Sequence, residues 1–311
     1  MATRPPRSPQ KSTTVLNAAV PWPVRWCFGV GGWLAPSATV RQASRIFATP
    51  MTRSRRRALA AECEDARIGQ VRSGGHDLAT YTWGDPAREP WVLFAHGWSS
   101  FGLRCRPWVA PLRKAGYAVV AFDLPGHGRN PGCQTNLPEC AAALAAVAAA
   151  HGPAAAVVAH SLGGAATALA LRDGLRAERA VLLAPAADMR AAGVRFGRMV
   201  GLREPLVARM WQGFERRLGV QVDSLGAHLH VPSLATPALV VHDLEDTDVP
   251  WDEGERYARL WPAARLLSTC GLGHHRIAGD PAVIEAALRF LRGEPVGERV
   301  VSSPNLPFGL D

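Results

Sequence analysis

No stretch of this sequence stays apolar for the roughly 20 residues that a bilayer-crossing helix needs, so an integral helical membrane protein is not expected. Its opening, MATRPPRSPQKSTTVLNAAVPWPVRW, starts basic as a secretory leader does. The apolar run VLNAAV is cut short by Pro21, Pro23 and Arg25, so no secretory signal is expected. The six cysteines (Cys27, Cys63, Cys105, Cys133, Cys140 and Cys270) make no CxxC pair and no metal-ligand spacing. In a chain of 311 residues that excludes a disulfide framework and a thiolate metal centre. A reducing, cytoplasmic setting fits, with each cysteine serving as a small buried hydrophobe. Lysine is nearly missing, at Lys11 and Lys114 alone. Acid is missing altogether from residues 1–61, which hold ten basic residues: Arg4, Arg7, Lys11, Arg25, Arg41, Arg45, Arg53, Arg55, Arg56 and Arg57. The net charge of +9 therefore belongs to an N-terminal arm and does not describe an active site. Such an arm could meet a membrane surface, nucleic acid or an acidic patch. A solvated arm is the expectation, with no nucleic-acid partner. Trp22, Trp26 and Trp33 beside Arg25 leave weak membrane-surface contact as a minority reading, against which Pro21, Pro23 and the glycines should spoil a continuous helix.

A hydrophobic fraction of 48% and a charged fraction of 20% describe a globular chain with a real core. Residues 1–36 are rich in Pro, Arg and Gly and are expected to lack regular structure at the start. Residues 37–49 predict a helix capped by Ser37, with Val40, Ala43 and Phe47 on one face and Pro50 as the stop. A second helix over 53–65 has its basic residues before its acidic ones, against the helix dipole. From residue 76 strand-like and helix-like runs alternate. The segment 77–83 suits an exposed strand. Continuous apolar runs over 91–96, 117–123, 155–160, 179–185, 238–243 and 264–269 mark strands buried on both faces of a parallel sheet. Helical stretches over 105–115, 139–150, 162–171 and 281–292 separate them, which implies right-handed βαβ units and a doubly wound sheet. Residues 186–236 are too long for an ordinary crossover and carry Phe196, Met199, Met210, Trp211 and Phe214, a candidate helical cap.

The sharpest chemical signal is Ala159-His160-Ser161-Leu162-Gly163-Gly164, after a buried strand and before an Ala-rich helix. A serine on a tight strand-to-helix turn projects its hydroxyl above the sheet, and small residues on either side let strand and helix touch. Ala159 stands where Gly is usual. The helix start offers backbone N–H groups to a developing oxyanion. His96-Gly97-Trp98-Ser99-Ser100, after another strand, can supply a second donor from Trp98. Asp123-Leu124-Pro125-Gly126-His127-Gly128 reads as a structural turn held by Asp123, with His127 a loop histidine. A serine hydroxyl needs a base, and the base an orienting acid. His274, in Gly271-Leu272-Gly273-His274-His275 after the last strand, is the chosen base, with His275 as competitor. His228 and His230 fall in the candidate cap. Asp246, in His242-Asp243-Leu244-Glu245-Asp246-Thr247-Asp248-Val249-Pro250, is the chosen acid, with Asp243 and Asp248 as alternatives and Asp188 a weaker one.

The pieces HGWSS, DLPGHG, AHSLGG, HDLEDTDVP and GLGHH fall in an order that resembles the α/β-hydrolase superfamily, spread over residues 76–293. The resemblance implies an α/β-hydrolase fold, a doubly wound and mostly parallel sheet with a short helical cap insertion. It implies Ser161 as nucleophile, Asp246 as acid, His274 as base, and oxyanion donors at Leu162 and Trp98. It divides the chain into a basic arm with amphipathic helices (1–75), a core in two parts (76–185 and 237–293), the cap (186–236) and a tail (294–311). Nothing transfers to the arm. The expected activity is carboxylic ester hydrolysis, of the carboxylesterase kind (EC 3.1.1), with no cofactor and no metal, on a small-molecule ester or thioester. Thioester hydrolysis, acyl transfer and cofactor-free perhydrolysis use similar machinery, and a non-catalytic binding protein could share the scaffold. A serine at the elbow argues against epoxide-hydrolase and dehalogenase chemistry, which looks for Asp there.

Overall fold

A computed structural model describes residues 20–300. Eight strands form one sheet: β1 Arg67–Ser73, β2 His76–Trp83, β3 Trp91–Ala95, β4 Ala118–Phe122, β5 Ala154–His160, β6 Ala177–Leu183, β7 Ala238–Asp243 and β8 Ala264–Thr269. Their spatial order is β1-β2-β4-β3-β5-β6-β7-β8. β2 runs antiparallel to both neighbours, and all pairs from β4 to β8 are parallel. β3, β4 and β7 are buried at every position, as their unbroken apolar runs require of strands covered on both faces. Two features differ from the expectation. β1 was not anticipated, because RIGQVRS is polar and sits exposed at the sheet edge. β2 is not an exposed strand: lying between β1 and β4, it is buried over its second half.

The helices are α1 Trp22–Leu34, α2 Pro36–Phe47, α3 Thr52–Ala60, α4 Arg106–Lys114, α5 Leu137–His151, α6 Leu162–Arg172, α7 Met189–Val200, α8 Glu204–Leu218, α9 Trp251–Leu260, the single turn α10 Gly273–Arg276, and α11 Pro281–Leu291. They cover the sheet on two sides. Trp108 and Leu112 of α4 and Val283 to Leu291 of α11 share one apolar core with the inner strands. Leu144 of α5, Leu169 of α6, Met210 of α8 and Tyr257 of α9 share the other. α7 and α8 occupy the long interval between β6 and β7.

The arm departs most from its reading. Residues 22–34 are helical rather than irregular. Pro21 is the N-cap and Pro23 lies in the first turn, where a missing N–H costs nothing. Gly32 serves contact, since a Cβ there would lie 2.8 Å from Leu206 Cδ1. Ser37 does not cap α2: Ala35 precedes it and Pro36 is its first residue. Nor is the arm merely solvated. α2 packs on α8, and Phe47 sets its ring edge-on to Phe196 at 5.1 Å and to Trp211 at 5.3 Å between centroids. α3 ends at Ala60, before the acidic residues expected within it. Cys105 and Cys140 are buried as expected, whereas Cys27, Cys133 and Cys270 are exposed; all six are unpaired.

Candidate active site

β5 delivers Ser161 to the carboxyl end of the sheet, where the chain turns sharply into α6. Ser161 has φ 53° and ψ −118°, a conformation costly for a residue with a Cβ. Two bonds hold it there: its N–H donates to Leu183 O at 2.9 Å, and its carbonyl accepts from Gly164 N–H at 2.9 Å. Gly163 makes the turn possible, because a Cβ there would sit 2.6 Å from the carbonyl oxygen of Ala95 on β3. Ala159, with its extra methyl, is fully buried in β5 and pairs with Ala95 and Leu182.

The loops after β7 and β8 bring the chosen acid and base to the same place. His274 Nε2 is 2.9 Å from Ser161 Oγ, and His274 Nδ1 is 2.7 Å from Asp246 Oδ2. All three side chains are buried. Asp246 Oδ1 accepts from the N–H groups of Asp248 and Val249, both at 2.9 Å. Burial opposes the charge on Asp246. Hydrogen bonding from His242 and His274 outweighs it and holds the carboxyl well below the usual carboxylate range. An ionised Asp246 accepts a hydrogen bond from His274 Nδ1–H, which fixes the ring proton on Nδ1 and leaves Nε2 as the acceptor facing the serine O–H.

The alternatives fall elsewhere. Asp243 accepts from Thr269 Oγ1 (2.7 Å), Glu245 N–H and Leu272 N–H (both 3.0 Å), so it ties the two loops together. Asp248 pairs with His275 Nε2 at 3.2 Å. Asp188 caps α7. His228 and His230 bond backbone carbonyls of Ala187 and Ser224.

The loop after β3 crosses the serine closely. A Cβ on Gly97 would lie 3.0 Å from Ser161 Cβ and 2.9 Å from His160 Nδ1. The backbone of Trp98 follows directly. Leu162 opens α6, so its N–H lies outside the helix's own ladder. Two neutral histidines brace the loop. His96 Nδ1 pairs with Gly97 O at 2.8 Å, and its Nε2 accepts from Leu124 N–H at 3.0 Å. His127 Nδ1 pairs with Pro125 O at 2.9 Å, and its Nε2 accepts from Ser99 N–H at 3.1 Å. Burial lowers His96 to about 4, and burial together with His96 lowers His127 to about 3. Asp123 is the structural turn residue expected, accepting from Tyr81 OH, Gly102 N–H and Arg129 N–H.

Sequence reasoning missed several residues around this arrangement. His160 packs against His274 with ring centroids 4.8 Å apart and the planes tilted by 43°, and donates from Nε2 to the His274 carbonyl at 2.8 Å. Burial, then the neighbouring His274, keeps it well below the usual histidine range. His242, buried on β7, has its Nε2 2.9 Å from Val249 O and 3.4 Å from Asp246 Oδ2. The arm was also missed. Met51 N–H donates to Ser99 Oγ at 2.9 Å, and Ile46, Phe47 and Met51 line a cavity of about 1090 Å³ with Ser161 and His274 on its floor. Phe196, Trp211 and Phe214 complete an apolar wall. The only available sequence signal was the Val40, Ala43, Phe47 face, which demanded a partner. Among the described residues no group of His, Cys, Asp or Glu could hold a metal ion, and no helix is long and apolar enough to cross a membrane.

A sheet in this order, with β2 reversed and a serine on the elbow between β5 and α6, defines an α/β fold of the hydrolase type. The sequence profile of the Alpha/beta hydrolase family matches residues 92–287, more than half of the chain, and the chain belongs to that family. No curated protein matches it by sequence. Among solved structures it is similar to the esterase RhEst1 from Rhodococcus sp. ECU1013 (21% identity, TM-score 0.54, covering 75% of this chain and 100% of that one). It is similar to a serine hydrolase from Cycloclasticus zankles (17%, 0.55, 73% and 98%). It is also similar to a membrane phospholipase A described as a bacterial virulence factor (17%, 0.58, 88% and 96%). At these identities the likeness is one of fold.

Proposed function

We propose that the chain is a serine hydrolase that cleaves carboxylic esters with hydrophobic acyl groups through an acyl-enzyme on Ser161. The observation that carries this reading is the buried relay from Ser161 Oγ to His274 Nε2 at 2.9 Å and from His274 Nδ1 to Asp246 Oδ2 at 2.7 Å. As Ser161 Oγ attacks the ester carbonyl, His274 Nε2 takes the hydroxyl proton, and Asp246 orients and stabilises the imidazolium. The N–H groups of Trp98 and Leu162 donate to the carbonyl oxygen as it becomes negative. The tetrahedral adduct collapses, His274 returns the proton to the leaving alkoxide, and the acyl group stays on Ser161. Water then attacks the acyl-enzyme with His274 as base, releasing the carboxylic acid and the serine.

The substrate class follows from the cavity. Its volume of about 1090 Å³ lies at the large end of small-molecule sites, which run to about 1,000 Å³. Its wall of Phe47, Phe196, Trp211 and Phe214 favours an apolar chain. In this reading α7 and α8 act as a cap, and the arm completes it. The six unpaired cysteines favour a reducing, cytoplasmic compartment.

Two measurements test the reading. A fluorophosphonate probe should label the wild type at Ser161 and leave Ser161→Ala unlabelled. p-Nitrophenyl esters of graded length should be turned over by the wild type, with Ser161→Ala and His274→Ala each losing about 10⁵-fold or more in kcat. A folded wild type that neither labels nor turns over esters is a binding protein on this scaffold. Faster turnover of acyl thioesters than of matched oxygen esters would move the substrate to that class.

A further inference from the structure

The arm carries a surface that the proposed hydrolase chemistry does not use. Of the eleven large hydrophobic side chains left exposed among the described residues, eight lie between Trp22 and Leu59. The strongest are Trp22 (76% exposed), Trp26 (61%), Trp33 (74%) and Leu34 (82%). Trp22, Trp26 and Trp33 are spaced four and then seven apart on α1, which sets them on one stripe of a helix with 3.6 residues per turn. Phe28 and Gly32, the buried residues of α1, lie on a different face, where Gly32 meets Leu206. The indole stripe therefore faces away from the protein. The guanidinium of Arg203 stacks 4.1 Å over the Trp33 ring and adds a cation to that edge.

The surroundings say what such a stripe would meet. Residues 20–61 hold seven basic residues and no acid, and Arg41, Arg45, Arg53, Arg56 and Arg57 are exposed on α2 and α3. Two copies meeting through this face would press like charges together. An anionic bilayer offers the complement: negative charge for the arginines, and at the headgroup level the half-apolar, half-polar layer in which indole rings settle. The placement also has a use. Val20, just before α1, and Arg25, in its first turn, line the same cavity as Ser161 and His274.

We propose that α1 docks the protein on the surface of a bilayer containing anionic lipid, with Trp22, Trp26 and Trp33 inserted at headgroup depth and the arm's arginines holding the lipid charge. The helix lies in the interface and does not span. Docking sets the cavity's α1 side beside the source of apolar esters. The surface does not depend on the Ser161 reading, and binding is measured without turnover.

The test is co-sedimentation of the full chain with phosphatidylcholine vesicles, with and without phosphatidylglycerol. The wild type should pellet with the anionic vesicles and shift its tryptophan emission to the blue. Raising salt from about 0.1 M to about 1 M, which shortens the Debye length from about 10 to about 3 Å, should release much of it. Trp22→Ala/Trp26→Ala/Trp33→Ala should lower the partition coefficient about tenfold or more, with thermal unfolding and hydrolysis of a soluble butyrate ester unchanged. If the triple variant does not fold, Trp26→Arg decides: it adds positive charge, yet should bind less because an indole is lost from the stripe. Ser161→Ala should bind like the wild type, so a failed hydrolase reading leaves this result standing. The proposal is overturned if the wild type stays in the supernatant with anionic vesicles, or if the folded Trp variants bind as well as it does. It is equally overturned if the wild type is a dimer without lipid that the triple substitution converts to a monomer, since a second copy then covers the stripe.

Discussion

Asp246→Asn is the sharpest perturbation of the relay, because it changes one atom that matters and spares the rest. The amide oxygen can keep the two bonds to the N–H groups of Asp248 and Val249 that Oδ1 now accepts at 2.9 Å. The amide nitrogen then replaces Oδ2, 2.7 Å from His274 Nδ1. An N–H donor there forces Nδ1 to accept, so the ring proton moves to Nε2. That proton points at Ser161 Oγ from 2.9 Å, and the imidazole can no longer take the hydroxyl proton. The analogous change in a protease triad lowers kcat about 10⁴-fold. At about 1.36 kcal/mol per factor of ten, that is about 5 kcal/mol of lost transition-state stabilisation. The assay is steady-state hydrolysis of a p-nitrophenyl ester, with thermal unfolding as the check on the fold. KM should change little, since the carboxyl touches the histidine and not the cavity. Asp248→Asn, in the neighbouring pair with His275, should leave kcat within about tenfold. The reasoning is refuted if folded Asp246→Asn stays within about tenfold of the wild type, or if Asp248→Asn or His275→Ala takes the large loss instead.

Further expectations follow from the same geometry. Gly97→Ala places a methyl 3.0 Å from Ser161 Cβ, so the loop must move and carry the Trp98 N–H with it; kcat should fall about 10²–10³-fold, as for loss of one oxyanion donor, with KM nearly unchanged. Phe47→Ala opens the wall shared with Phe196 and Trp211; kcat/KM should drop several-fold for octanoyl esters and little for acetyl esters, and equal losses on both would show that Phe47 only supports the fold. His96 at about 4, His127 at about 3 and His160, which burial holds well below the usual histidine range, stay neutral in the folded chain near neutral pH, yet titrate near 6.5 when unfolded. Below pH 6.5 the unfolded chain therefore holds more protons, and stability falls as pH drops toward 4, by up to about 1.4 kcal/mol per pH unit for each histidine. Urea unfolding at pH 7 and pH 5 measures this, and equal midpoints would show that these rings are not held neutral.

The inner parallel strands were legible because burial on both faces leaves unbroken apolar runs: the expected 238–243 matches β7, buried throughout, whereas 264–269 matches β8 in extent but, as the edge strand, is only partly buried and not covered on both faces. The same strands punctuate the loops, which is why Ser161, Asp246 and His274 could be chosen by position and why these three side chains meet. What stayed hidden had weaker or contrary local signals. α1 reads as broken because proline and glycine are helix breakers inside a helix, whereas its prolines stand at the start and Gly32 lies at a contact. β1 carries the polar pattern of an edge, and α9, with Asp252, Glu253, Glu255, Arg256 and Arg259, is charged at half of its ten positions. The roles of His160 and Phe47 exist only through neighbours far along the chain, and no local pattern encodes such partners; that of His242 comes from the way the loop after β7 folds back on it.

The N–H of Met51 resting on Ser99 Oγ links the arm to the loop that carries the Trp98 amide. A substitution around Pro50 or Met51 can therefore retune catalysis at a distance of more than a hundred residues from the serine in the chain. A mutagenesis library confined to the matched span 92–287 would never sample it. The segment that looks most dispensable beside the family's shared core is thus a natural place from which selection could adjust rate and selectivity without touching the reacting groups.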